Sequence, residues 1–508
     1  VEVLGTTVNS IEFVDATPTN LVLSGTGGTE TSLVRFRVKD NTGENKPDIN
    51  VDFSLSSAVG GLNLTNTTAT SNGEGLVTAT VNSGSIPTAA QVIATITVDP
   101  DMVASSGDEY EVSTVSSTLS VSTGLPDQGS FSVVADILNP GGGNLDGIES
   151  QITIRASDAF NNPVPDGTTI VFTTEYGQIE PQCSIENGAC TVTWTSAGGS
   201  VLVSPATGTL RTITAGNLTG CPGVFPGTGP CLNEATFPDE QIYSGRNTIL
   251  ATTLGEESFV DANGSGLYDW IDLDSDGLYE PLDGETLEIF EDLDEAFVDE
   301  NEDGVFGNDL TPGACTSAAD PDGHECVNWI TGGGEDTHVE TFPETAIGNG
   351  VFDRGNGIYN GRLCHPDLES LGTPLCSFEP VLVRDSVVLV MSGNTPVLSL
   401  RDNSPRALHD GVVDLTGIAT SETVILYASD FQNGRLPAGT VIDVAVTNCD
   451  IAGTTTFEVP NSNDEGFTVI SLTLSNDGDT SEGQVNIEVT TPESVGDVTE
   501  IISFACLD

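Results

Sequence analysis

The residues with the clearest chemical content lie between Asp261 and Asp309. The stretch reads DANGSGLYDWIDLDSDGLYEPLDG, then an acidic spacer, then DENEDGVFGND. Side-chain oxygens recur at alternate positions, and each frame has a glycine in sixth place. Calcium takes about six to eight hard oxygen ligands. One loop can supply most of them from positions 1, 3, 5, 9 and 12, with a backbone carbonyl at 7 and a glycine at 6 for the sharp turn. The first frame is Asp261, Asn263, Ser265, the Leu267 carbonyl, Asp269 and Asp272. The second is Asp272, Asp274, Asp276, the Leu278 carbonyl, Glu280 and Asp283. Sharing Asp272 would place two ions close together on one bridging carboxylate. The third begins with Asp299, Asn301, Asp303 and the Val305 carbonyl. It then departs, with Gly307 and Leu310 where oxygens belong; either Asp309 substitutes or water fills the gap. A weaker fourth candidate runs from Glu344 to Asp353. Glu257, Asp292, Asp294 and Glu295 are available to complete shells from outside the loops. The competing reading is a solvated acidic loop, but three near-frames within fifty residues favour calcium.

The twelfth position is Asp in the first two frames, one methylene shorter than Glu, so bidentate coordination needs a closer backbone. Gly264, Pro281 and Gly284 preclude long flanking helices, leaving room for a short one only over 284–297. On these residues the loops resemble dockerin-type and other extracellular EF-hand-like loops more than paired intracellular sensors.

The elements that must position these loops are strands. Residues 8–122 alternate apolar and polar positions in SLVRFRVKD, INVDFSLSS, GLVTATVNS and AQVIATITV, each bounded by turn residues. Period two with one buried face predicts an antiparallel sandwich. The pattern then recurs. VRFRVKDNTGENKPDINVDFSL is answered by ITIRASDAFNNPVPDGTTIVFTT and again by VILYASDFQNGRLPAGTVIDVAV. Repetition at this length means a tandem array.

The expected organisation is a strand or linker over 1–7, a first sandwich over 8–122, and a second over 124–255 plus 380–393. A calcium-binding insertion follows over 256–379, and a third sandwich over 395–508. NTILATTLG before the insertion and VRDSVVLVMS after it are expected to be neighbours, as in a loop insertion. The insertion has few apolar residues for its length, so calcium and disulfides are expected to replace a hydrophobic core there. Its aromatics, Trp270, Trp329, Phe290, Phe297, Phe306, Phe342, Phe352 and Tyr359, are expected to form a small core under the loops; the other possibility is a glycan-stacking surface.

The D-x-x-G/N-x-P-…-V/I-x-F core, carried by Asp40 to Phe53 and Asp158 to Phe172, resembles the bacterial Ig-like domains of the Big-1 group, found in intimin- and invasin-type surface proteins. The third repeat departs with Val444 in place of Phe. The resemblance implies an all-β chain of tandem Ig-like β-sandwiches used as an extracellular spacer or adhesive rod. It carries over no binding residues.

Composition bounds the rest. Among 508 residues, 76 acidic side chains oppose 13 basic ones, for a net charge of −63. Residues 256–379 alone hold 31 acids against Arg354 and Arg362. Such a chain repels nucleic acid and anionic membranes and attracts divalent cations; salt adaptation is the blander account of the same acidity. Ten cysteines fall as Cys183/Cys190, Cys221/Cys231, Cys315/Cys326, Cys364/Cys376 and the wider Cys449/Cys506. Even number and local spacing suggest five disulfides in an oxidising compartment, without fixing connectivity. No apolar run is long enough for a membrane-spanning helix. Export from a bacterium with a removed leader is expected. His324, His338, His365 and His409 lie in no catalytic motif, and paired carboxylates are too common here to signal a glycosidase, so no enzyme is expected. The expected partners are further copies of the chain joined head to tail in a fibre, or a glycan or receptor on a cell surface.

Overall fold

A computed structural model describes residues 8–98, 110–197, 246–271, 286–299, 354–402, 412–415, 421–430, 434–464, 468–476 and 482–507, with the backbone of short strands at 211–213, 241–243 and 337–339. The chain is an all-β array of tandem sandwiches. In the first, one sheet takes the order Val8–Thr17, Thr31–Asp40, Leu76–Asn82, Asn63–Leu64. The facing sheet takes Tyr110–Val115, Val92–Val98, Asn50–Leu55, Thr68–Thr70. Alternation decides what is buried. In Thr31–Asp40, Val34, Phe36 and Val38 point inward and are fully enclosed, while Arg35 and Arg37 alternate outward. Phe36 stacks on Phe53 with ring centroids 6.0 Å apart, joining the two sheets. Each such side chain contributes about 1.5–3 kcal/mol on burial.

The second sandwich repeats this plan. Phe131–Ala135, Glu149–Ala156, Ala189–Thr195 and Gln178–Ile179 form one sheet; Gln182–Ser184, Thr169–Thr174, Arg246–Gly255 and Val381–Val390 form the other. Its centre is Trp194, fully buried, whose indole N–H donates to the Tyr176 carbonyl at 2.9 Å. The strands before and after the acidic stretch are antiparallel neighbours along their whole length, from Arg246↔Val390 to Gly255↔Val381. The third unit has a four-stranded and a five-stranded sheet, and its last strand, Thr499–Leu507, pairs with Gly483–Thr490.

Three of the expected disulfides join described residues: Cys183–Cys190, Cys364–Cys376 and Cys449–Cys506. Cys221, Cys231, Cys315 and Cys326 lie outside the described residues.

The recurring Asp of the repeat has one local job. Asp40 Oδ1 accepts the N–H groups of Thr42 and Glu44 at 2.8 and 3.1 Å. Asp158 Oδ1 accepts those of Phe160 and Asn162 at 2.9 and 2.8 Å. Asp430 Oδ1 accepts that of Gly434 at 2.8 Å. All three are buried, so each carboxylate satisfies turn donors that water cannot reach. Two of them also reach the preceding linker. Asp158 Oδ2 accepts from Thr123 N at 3.2 Å, and Asp430 Oδ2 from Gly393 N at 2.8 Å.

The junction of the second and third units is polar. Asn139 donates to the Leu436 carbonyl at 2.9 Å and accepts from Ser462 N at 3.1 Å. Asn461 exchanges bonds with Leu138 N and the Asp136 carbonyl, and Asn144 with Asn394. Gly141 lies so close to Val495 that any side chain there would collide.

Two expectations about the insertion are corrected. No helix forms over the described part of 284–297. Thr286–Leu287 and Ala296–Val298 are strands instead, because Leu287 and Phe290 pack inward while Glu288 turns toward the loop. The short helix lies at Pro366–Glu369, capped by His365. Nor is the insertion without an apolar core. Phe259, Tyr268, Phe290 and Tyr359 contact one another edge-on or stacked, with Tyr268 and Tyr359 at 4.7 Å, and Leu363 and Leu368 close the cluster. This core is continuous with that of the first sandwich.

Candidate metal centre and domain junctions

Of the expected calcium ligands, Asp261, Asn263, Ser265, Leu267, Asp269 and Asp299 are among the described residues. Asp272, Asp274, Asp276, Leu278, Glu280, Asp283, Asn301, Asp303, Val305 and Asp309 lie outside them, as does the whole of the fourth candidate.

The first frame folds as a tight loop. Asp261 Oδ1 accepts the N–H groups of Gly264 and Ser265 at 2.7 and 3.1 Å, and Oδ2 that of Gly266 at 2.9 Å. Gly266 adopts φ 78°, where a side chain would be strained, and a Cβ there would also meet Ile86 of the first sandwich at 2.8 Å. Asn263 donates to Asp269 Oδ1 at 2.7 Å, and the Ser265 hydroxyl to the Leu267 carbonyl at 3.1 Å. Positions 1, 3, 5, 7 and 9 are therefore linked by hydrogen bonds. Every one offers a hard oxygen, which suits calcium.

The loop has a carboxylate that the sequence reading passed over. Glu288 is buried, accepts Ala262 N through Oε1 at 2.7 Å, and faces Asp269 across the hairpin of Trp270–Ile271 and Thr286–Leu287. Burial pushes the carboxyls of Asp269 and Glu288 upward, and the negative charge of Asp261 adds to both; His365 opposes the rise at Asp269. Nothing local marks Glu288: between Leu287 and Ile289 an acid sits where an alternating strand turns to solvent, and tertiary packing buries it.

Three of the outer residues expected to complete shells accept backbone N–H groups. Glu257 accepts Leu293 N and Asn360 N at 2.9 and 2.7 Å. Asp292 accepts Gly357 N at 2.9 Å and Asp294 accepts Gly355 N at 2.7 Å. Among the described residues, no group of three or more His, Cys, Asp or Glu side chains has the arrangement of a formed metal site.

No protein-family model matches the chain, and no curated protein matches it. Solved structures do. The D0-D1 domain of intimin aligns with 48% of this chain and 90% of its own, at 15% identity and TM-score 0.19. The Escherichia coli adhesin FdeC aligns over 100% of both chains at 11% identity and TM-score 0.25. Invasin, described as a bacterial integrin-binding protein, aligns with 98% of this chain and 79% of its own, at 12% identity and TM-score 0.19. Likeness at this level carries no argument about what the chain does. No helix among the described residues is long and apolar enough to cross a membrane.

Proposed function

We propose that this chain is an extracellular, calcium-binding structural protein: a rod of Ig-like sandwiches displayed at a cell surface or joined head to tail in a fibre. The observation that carries the reading is the repeated clamp at the linkers. Asp158 and Asp430 each hold their own turn and the N–H of the linker before it. A chain that fixes one sandwich on the next in this way works by extension. Calcium belongs to the reading through the Asp261 loop, whose donors are hard oxygens and whose Asp269 and Glu288 carboxyls are buried together. Disulfides between described residues fit an oxidising compartment. No feature of the described residues suggests catalysis.

The second reading, an adhesin that binds a glycan or receptor through the insertion, draws less support. Four of the described aromatics of the insertion, Phe259, Tyr268, Phe290 and Tyr359, face one another in a core. Negative-stain images and light scattering of the purified chain in millimolar calcium and in EDTA test the proposal. Extended rods or end-to-end assemblies that shorten or loosen on chelation are expected. Compact monomers indifferent to EDTA would overturn it.

A further inference from the structure

A second place in the molecule buries two acids side by side, and it lies apart from the calcium loops. Three segments meet there: the linker 123–130, the end of the long strand at Gly255–Ser258, and residues 359–362. Glu256 N donates to the Pro126 carbonyl at 2.8 Å, and the Glu256 carbonyl accepts Gln128 N at 3.0 Å, so strand end and linker are pinned together. Glu256 is fully buried and Asp127 is 4% exposed.

Half of each carboxylate is accounted for. Glu256 Oε2 accepts Arg362 N at 3.0 Å. Asp127 Oδ1 accepts Gly129 N at 3.0 Å and the Ser258 hydroxyl at 2.8 Å. The other halves are not. Glu256 Oε1, Asp127 Oδ2 and the Tyr359 hydroxyl are all buried and have no hydrogen-bond partner. The Thr123 hydroxyl lies beside Glu256, but it gives its proton to the Leu125 carbonyl at 3.1 Å.

These atoms belong together. A Cβ on Gly361 would collide with the Tyr359 hydroxyl and lie 2.8 Å from Glu256 Cβ, so ring and acid share one small space. Asp127 and Glu256 repel each other, and both are repelled by Asp158. Asp158 cannot help, because its own oxygens are filled by Thr123, Phe160 and Asn162. An unpaired buried charge costs several kcal/mol, of order, unless something positive neutralises it.

We propose that Asp127 Oδ2 and Glu256 Oε1 bind a hard divalent cation, calcium by the character of its donors, which locks the first linker to the base of the insertion. Two carboxylates supply the charge. The hydroxyls of Tyr359 and Thr123 are the neutral oxygens at hand, and the large coordination number of calcium leaves room for water. The site shares no ligand with the loops at 261–309 and does not depend on their binding ions.

The test counts ions. Bound calcium is measured by equilibrium dialysis and elemental analysis on the full chain, on E256Q and on the D127N/E256Q double variant, each checked for folding by circular dichroism. The same is done for D261N/D274N, which addresses the loops. The expected result is one ion fewer per chain in the junction variants, with the loop variant losing ions independently of it. The result that overturns the proposal is an unchanged ion count in folded E256Q and D127N/E256Q, together with a higher melting temperature, which would mean that a proton occupies the junction. If the double variant fails to fold, hydrogen exchange in D261N/D274N decides. Amides of 125–130 that exchange at least tenfold faster in EDTA than in calcium support the site, and equal protection overturns it. An ion lost from the junction variants with none lost from D261N/D274N would sink only the proposed role of the loops.

Discussion

The Asp430 carboxylate accepts the N–H of Gly393 at 2.8 Å through one oxygen and that of Gly434 at 2.8 Å through the other. One buried side chain thus satisfies the turn of the third sandwich and the linker that delivers the chain into it. Asp158 does the same for Thr123 at the preceding neck. Truncation leaves buried donors unpaired, which costs about 1–3 kcal/mol per group. D430A is therefore expected to lower the stability of the third unit by roughly 2–4 kcal/mol. It should also broaden the interdomain distance distribution measured by small-angle scattering or paired spin labels. D430N, which keeps one acceptor, should lose less.

At the Asp261 loop the readout is the calcium increment in melting temperature. Asp261 holds three N–H groups, so D261A should destabilise the loop even in EDTA. D261N removes the charge and keeps one acceptor oxygen, which can serve Gly264 and Ser265 but leaves Gly266 N without a partner. It should lose less than D261A in EDTA and gain less than the wild type on adding calcium. Identical gains in differential scanning calorimetry would remove this loop from the set of ion sites.

The buried acids set a pH dependence. Burial raises Glu256 and Glu257 to about 8 from an ordinary 4.5. A folded state that keeps protons which the unfolded chain has released loses stability as pH rises. In EDTA, the urea midpoint should therefore fall between about pH 4.5 and 8 and level off above. Asp127, Asp158, Asp269 and Glu288 are shifted in the same direction and steepen the lower part of the curve. Calcium should flatten it. A midpoint that climbs across this window would show that these carboxylates are not buried as described.

The disulfides should differ in worth. Cys449–Cys506 spans 57 residues and Cys183–Cys190 spans 7. Loop-closure entropy gives about 4 kcal/mol for the first and about 2 kcal/mol for the second. Paired serine replacements followed by urea unfolding should reproduce that order, with the larger loss confined to the third unit.

Gly141 offers a test of the second neck by bulk alone. A valine there meets Val495 and must push the two sandwiches apart. G141V should leave each sandwich folded by circular dichroism, yet raise the exchange of the Leu138 and Ser462 amides that bond across the junction.

Much of this was legible in the residue pattern. Alternation such as Val34–Phe36–Val38 announces a half-buried strand, and repetition of the Asp-to-Pro turn announces an array. The pairing of Arg246–Gly255 with Val381–Val390 follows from both runs being apolar at either end of an acidic stretch. What the pattern hid was chiefly long-range. The Asp of the repeat reads as a turn residue, and nothing local says that its second oxygen reaches a linker 35 or 37 residues earlier. Nothing local in the run Asn139–Asn144 says that its two asparagines tie two sandwiches together. Glu288, Asp127 and Glu256 are ordinary acids in an acidic chain until tertiary packing removes them from water. The small aromatic core of the insertion was expected from its residues, but its continuity with the core of the first sandwich was not.

The acidic segment leaves its sandwich at Gly255 and returns at Val381, and those two residues face each other across a single ladder. Tension applied between the two ends of the chain can therefore pass along Val381–Val390 and the strands around it without unravelling the segment between them. That segment still touches the first sandwich, through a shared apolar core and through Gly266 against Ile86. It acts as a strut beside the first neck, and trimming or exchanging it should change how stiffly a pulled chain resists bending there.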